Sequence, residues 1–198
     1  MNPASHADTA SAYEAHAHSF LRTRDASAVG SRVVAQWART LQPGAEVLEL
    51  ACGGGHPITQ ALHAGGLKLW AVDSSPTLLA EFARRFPSVP TRCEKVQHSA
   101  FFERRFDAVV AIGLVFLLPE ADQLALIGRV AQTLHPGGRF LFTAPTEVGE
   151  WADLNTGMAC LSLGQARYEA CLHTHGFCVN TTFTDQGGNH HFDAALAC

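Results

Sequence analysis

A chain of 198 residues is about the size of one folding unit, and a unit of that size buries roughly 70% of the surface its unfolded form exposes. Hydrophobic residues make up 47% and charged residues 16%, a balance too apolar for a disordered chain. The formal charge of −4 disfavours a nucleic-acid backbone as main partner, since such partners select a basic surface.

Taken in chain order, short apolar runs alternate with segments of helical periodicity, the pattern of a parallel sheet covered by helices on both faces. Thr9–Phe20 and Ser31–Leu41 read as two helices of an amino-terminal cap. After the turn Gln42-Pro43-Gly44, Val47–Ala51 is the first strand, and a helix follows from about Pro57 to Gly65-Gly66. Leu67–Val72 is the second strand, closed by Asp73, and Pro76 opens a helix with Leu78, Leu79, Phe82 and Phe86 on its apolar face. Thr91–Glu94 is a weaker strand. Phe106–Ile112 is apolar but for Asp107, as a central strand buried on both faces should be. Asp122–Leu134 is a helix stopped by Pro136-Gly137-Gly138, and Arg139–Thr143 is the next strand. Ser162 caps a helix ending at Gly176, and strands at Val179–Thr184 and Phe192–Ala197 complete the chain.

Six cysteines at irregular spacing, with no CxxC, read as free thiols in a reducing compartment. Met1–Thr9 is polar, without the apolar core of a leader, and the longest apolar stretch, Ala108–Leu118, is far short of a membrane span. The expected location is the cytoplasm, with no membrane partner. Cys171, His173, His175 and Cys178 invite a metal reading, but they straddle a helix end at spacings that put neighbours on opposite faces, so no metal site is expected.

The chemistry concentrates where the first strand ends. Open parallel sheets bind ligands outside the carboxyl ends of their strands. There the chain reads Glu49-Leu50-Ala51-Cys52-Gly53-Gly54-Gly55-His56, and Asp73 follows Gly53 by 20 residues at the end of the second strand. Glycines let backbone approach a ligand, and an acid at that distance accepts from ribose hydroxyls. The dinucleotide pattern G-x-G-x-x-G is broken by His56 in its last place, which counts against a nicotinamide-dependent oxidoreductase.

Four motifs in order resemble the small Rossmann-like (class I, type 11) S-adenosylmethionine-dependent methyltransferases: Glu49, Ala51, Gly53 and Gly55; Val72-Asp73-Ser74-Ser75; Phe106-Asp107-Ala108-Val109; and Leu134-His135-Pro136-Gly137-Gly138. The resemblance covers residues 45–145 well and the rest more weakly. It implies an α/β three-layer sandwich with a mostly parallel seven-stranded sheet and an amino-terminal helical cap. It implies one domain over 1–198, divided into a cap (1–41), a cofactor-binding core (45–145) and acceptor-side and final strands (146–198).

The resemblance places Gly53 and Gly55 under the methionine part of the cofactor and Asp73, with Ser74, at the ribose. Glu94 and the backbone of Lys95, Val96 and Gln97 come to the adenine edge, with Gln97 or His98 as the alternative contact, and Ile112-Gly113-Leu114 lines the methionine and acceptor side. Methyl transfer obliges no dedicated catalytic residue. The candidates for a base are His56, His190 beside Asn189 and His191, and Tyr13, with His16 or His18 on the same cap. Glu147, Glu150 and Trp151 are candidates for an acceptor wall. Thr143-Ala144-Pro145 lacks the Asn/Asp-Pro-Pro-aromatic signature of enzymes that methylate bases and amides. The expected acceptor is a small molecule's oxygen, nitrogen or sulfur, handled by a monomer or homodimer, with a non-catalytic binding module as the alternative.

Overall fold

The apolar runs become strands in the computed structural model, which describes residues 9–197. Residues 1–8, read above as lacking a leader, and Cys198 lie outside the described residues. Helices α1 (Thr9–Ala15), α2 (Ala17–Asp25) and α3 (Ser31–Ala38) precede β1 (Glu46–Leu50), α4 (Ile58–Ala64), β2 (Lys68–Asp73), α5 (Pro76–Arg85), β3 (Thr91–Cys93) and β4 (Phe106–Ala111). Then follow α6 (Glu120–Thr133), β5 (Leu134–Thr143), a hairpin of β6 (Val148–Ala152) and β7 (Ala159–Leu163), α7 (Gln165–Thr174), β8 (Phe177–Thr184) and β9 (His190–Leu196).

Seven strands form one sheet in the order β3-β2-β1-β4-β5-β9-β8, parallel except for β9, which runs against both neighbours. Strand order reverses beside β1, and the crevice between the carboxyl ends of β1 and β4 is where such a sheet takes its ligand. Alternate side chains go to opposite faces. Val109 and Ala111 join Phe140, Phe142, Tyr168 and Phe192 under α6 and α7, while Ala108 and Val110 join Val34, Trp37 and Leu62 under α3 and α4. The expected architecture, a mostly parallel seven-stranded sheet between helical layers, is the one observed.

Three local expectations are corrected. The cap contains three helices, because the first segment breaks at His16, whose backbone (φ −105°, ψ 8°) leaves the helical region without a glycine or proline to announce it. Pro136-Gly137-Gly138 lies inside β5 as a bulge: pairing jumps from Phe106 opposite Leu134 to Ala108 opposite Arg139. A Cβ at Gly138 would stand 2.8 Å from the His135 carbonyl, so the bulge requires glycine. Ser162 is a strand residue; its Oγ donates to the Pro145 carbonyl and accepts from Gly164 N–H, and Gly164 precedes α7.

The hairpin is tied to the core by buried polar groups. Tyr168 donates its hydroxyl proton to Gln123 Oε1 (2.7 Å) and accepts from Leu163 N–H (3.1 Å), while Gln123 Nε2 donates to the carbonyls of Leu118 and Leu161. Both side chains are fully buried. Tyr168→Phe leaves Gln123 Oε1 without its donor, and chemical denaturation is expected to show a loss of about 1–3 kcal/mol.

Candidate active site

β1 delivers Glu49 to the crevice and then turns sharply. Ala51 has φ +55°, a left-handed conformation that costs an alanine roughly 1–2 kcal/mol, and Gly53 (φ +55°) and Gly55 (φ +84°) adopt it freely. The turn is also crowded. A Cβ on Gly54 would lie 2.3 Å from Leu21 of the cap, and one on Gly55 would lie 2.4 Å from Phe86.

Asp73, at the end of β2, is buried beside this turn. Its Oδ2 accepts from Gly53 N–H and its Oδ1 from Ser75 N–H, both at 2.8 Å. Each oxygen keeps a further lone pair for a ligand hydroxyl. Burial pushes the Asp73 pKa up, and the backbone N–H groups of Ser75, Gly53 and Ser74 act in the opposite direction.

Glu49 is deeper. Thr59 Oγ1 donates to its Oε2 at 2.7 Å, and burial pushes its pKa up to about 8. The folded protein therefore holds this proton more tightly than the unfolded chain does. The resulting stabilisation is complete below the ordinary value near 4.5 and is lost as pH rises through about 8. Glu49→Gln is expected to flatten that part of the pH dependence of the melting temperature, with wild type and variant diverging as pH increases from about 5 to 8.

These residues line one cavity of about 1410 Å³. Glu49, Ala51, Gly53, Asp73, Ser74, Glu94, Val96, Gln97, Ile112 and Gly113 all reach it, as do His56 and Tyr13. Gly55 does not; it shapes the turn, donating its N–H to the Cys52 carbonyl. His190 does not either, because it sits where β9 begins, and its neighbours Asp185 and Asn189 line the wall in its place. Of the alternative pair Gln97 and His98, Gln97 lines the cavity, and its Nε2 donates to Asp122. Glu150 and Trp151 are in the wall; Glu147, His16 and His18 are not. His175 packs its ring over Gly128, and no group of three possible metal ligands occurs among the described residues.

The sequence reading missed the cap's contribution. Arg24 of α2 enters the cavity, where Tyr13, Asp185 and Glu49 act on its charge, and Phe20 stands 3.2 Å from where a Gly53 Cβ would be. The cap is held over the crevice by two clamps. Glu14 accepts from the Ser75 hydroxyl and from Thr77 N–H and Oγ1, and Asp25 pairs in two-pronged fashion with Arg85 (2.7 Å each). No periodicity marks such contacts, since each joins residues about sixty positions apart. The far wall comes from the hairpin and the Val115–Leu117 turn, including Phe116, Asp153, Asn155 and Cys160.

Residues 47–138 match the methyltransferase domain family. A ubiquinone biosynthesis O-methyltransferase of Xanthomonas campestris pv. campestris is 35% identical over 107 residues, which are 51% of this chain and 43% of that protein. The chain thus spans less than half the length of the curated relatives it matches. Among solved structures, the glycopeptide N-methyltransferase MtfA superposes with a TM-score of 0.70 at 22% identity, over 84% of this chain and 96% of that one. The magnesium protoporphyrin IX methyltransferase of Synechocystis PCC 6803, solved with bound S-adenosylmethionine, superposes with a TM-score of 0.67 at 15% identity, over 84% and 78%. These likenesses show the class I methyltransferase fold.

Proposed function

We propose that this protein is an S-adenosylmethionine-dependent methyltransferase acting on a small molecule's oxygen, nitrogen or sulfur. The observation that carries the reading is Asp73: a buried carboxylate fixed by two backbone N–H groups, at the rim of a glycine turn and open to the cavity. The residues present fit the cofactor. Asp73 and Ser74 would take the ribose hydroxyls; Glu94, Val96 and Gln97 the adenine; the Gly53 turn, Glu49 and Arg24 the charged methionine end; and Ile112 and Gly113 the reacting side. A Cβ at Gly113 would meet nothing within 4 Å, so the backbone there is open to a ligand.

The cofactor, when bound, supplies a methyl group already activated by its sulfonium, so the hard chemistry is its own. The chain's part is to bind, align and exclude water. The cap and hairpin enclose the crevice, and the clamps at Glu14 and Asp25 hold the enclosure shut. Tyr13 is kept as a neutral phenol: burial raises its pKa, with Asp153 adding to the effect, so it serves as a donor and a wall and not as a base. His56 is held by its Nδ1 contact with the Arg24 carbonyl (3.3 Å), which gives it a positioning role at the mouth of the turn.

Turnover tests the reading. Release of S-adenosylhomocysteine from S-adenosylmethionine, dependent on one of a panel of small hydroxyl, amine and thiol acceptors, is the expected result. Tight cofactor binding with no release across the panel would identify a binding module instead.

A further inference from the structure

The cavity exceeds what one cofactor needs. Pockets for single small molecules run to roughly 300–1,000 Å³, and this one measures about 1410 Å³. Its walls continue past the ends of β1 and β2 to α1, the Val115–Leu117 turn and the β6–β7 hairpin.

Two properties of that outer half decide what it accepts. The first is aromatic surface. Tyr13, Phe116 and Trp151 line it; the Phe116 and Trp151 rings lie 5.5 Å apart at 46°, and Trp151 remains 37% exposed. Ring faces attract cations.

The second is charge. Glu150 and Asp153 stand on these same walls, and around the whole cavity six acidic side chains, besides Glu49 that burial keeps protonated, face two basic ones, Arg24 and Lys95. Arg24 belongs to α2 and is drawn to Glu49 and Asp185. The hairpin and the Val115–Leu117 turn contribute no lysine or arginine to the lining. A site of this sign concentrates cations and repels a phenolate, carboxylate or phosphate.

We propose that the outer half of the cavity takes an alkylammonium group joined to an aromatic or apolar body, so that the acceptor atom is an amine nitrogen. The inference rests on the methyltransferase reading above and narrows its acceptor. The bound ammonium first gives one proton to solvent; the freed nitrogen lone pair then forms the N–CH3 bond as the S–CH3 bond of S-adenosylmethionine breaks, releasing S-adenosylhomocysteine. The methylated ammonium that results carries the same charge, so substrate and product suit the same walls.

Calorimetric titration of the full chain saturated with S-adenosylhomocysteine tests this, using three probes of matched shape: 2-phenylethylamine, 2-phenylethanol and 3-phenylpropionate. The amine is expected to bind at least roughly tenfold more tightly than either of the others. The exposed change Glu150→Gln should reduce that preference, and Glu150→Gln with Asp153→Asn should remove most of it. Asp153 also accepts from Thr156, so the single variant guards against a disturbed loop. Equal or tighter binding of the alcohol or the carboxylate, or binding of none of the three to a protein that holds S-adenosylhomocysteine, overturns the proposal. A chain that does not take up S-adenosylhomocysteine overturns the cofactor reading and the proposal with it.

Discussion

Asp73→Ala is expected to weaken binding of S-adenosylmethionine and S-adenosylhomocysteine by about tenfold to hundredfold, the equivalent of the roughly 1.5–3 kcal/mol lost with a hydrogen bond to a charged group. Two effects add. On the proposed reading the ribose loses its acceptor, and the N–H groups of Gly53 and Ser75 lose the carboxylate that fixes the turn against the end of β2. Asp73→Asn separates them. It keeps the shape and one acceptor oxygen but sets an amide NH₂ against one of the two N–H donors. Its loss should fall on the same ligands while the fold survives. Calorimetry with both ligands, beside a melting curve for each variant, measures the effect. Unchanged affinity in a folded Asp73→Ala protein would remove the ribose assignment.

Asp193→Ala is expected to be the most damaging single change to stability. Asp193 lies on β9 with its side chain almost wholly buried, and it accepts from Trp37 Nε1 (3.1 Å) and from Arg139 Nε (2.9 Å), with Arg139 Nη2 closing a second prong. One carboxylate thus joins α3, β5 and β9. Removing it leaves a guanidinium and an indole N–H without their acceptor. Loss of one partner of a buried pair costs about 3–5 kcal/mol. Because the Arg139 side chain is 21% exposed, water recovers part of that, and about 2–4 kcal/mol is expected. For a chain of this length the melting temperature should fall by roughly 5–15 °C. Asp193 does not line the cavity, so cofactor affinity measured well below the transition should be unchanged.

The strands nearest the site were legible for a physical reason. β1, β2 and β4 are buried on both faces over most of their length, so their sequences are mainly apolar, and their ends carry the glycines and acids that a ligand-facing turn demands. Glu49, Gly53 and Asp73 therefore stand out in the sequence alone. The hairpin could not. Val148, Glu150, Trp151 and Ala152 on β6 are all exposed, so neither strand periodicity nor burial marks them, and Ser162 on β7 resembles a helix cap although it bonds to Pro145.

The cap failed for another reason. His16 breaks the first helix by backbone geometry alone, and the boundary moved Arg24 from an unassigned tail into α2, facing the cavity. Gly55 shows the converse. Its residue type was read correctly as a conformational requirement, but the demand comes from the turn and from Phe86, not from a surface shared with the ligand. Local chemistry predicts which backbone must bend. Which side chains meet across the bend is tertiary, and contacts such as Tyr13 with Asp153 leave no mark on either segment.

The crevice beside β1 is proposed as the S-adenosylmethionine site. Calorimetric titration of the purified chain with S-adenosylmethionine and with S-adenosylhomocysteine tests it most directly. Saturable one-to-one binding of both, weakened in Asp73→Ala, is the predicted result. Heats no larger than dilution for either ligand, with a folded protein in the cell, would contradict it.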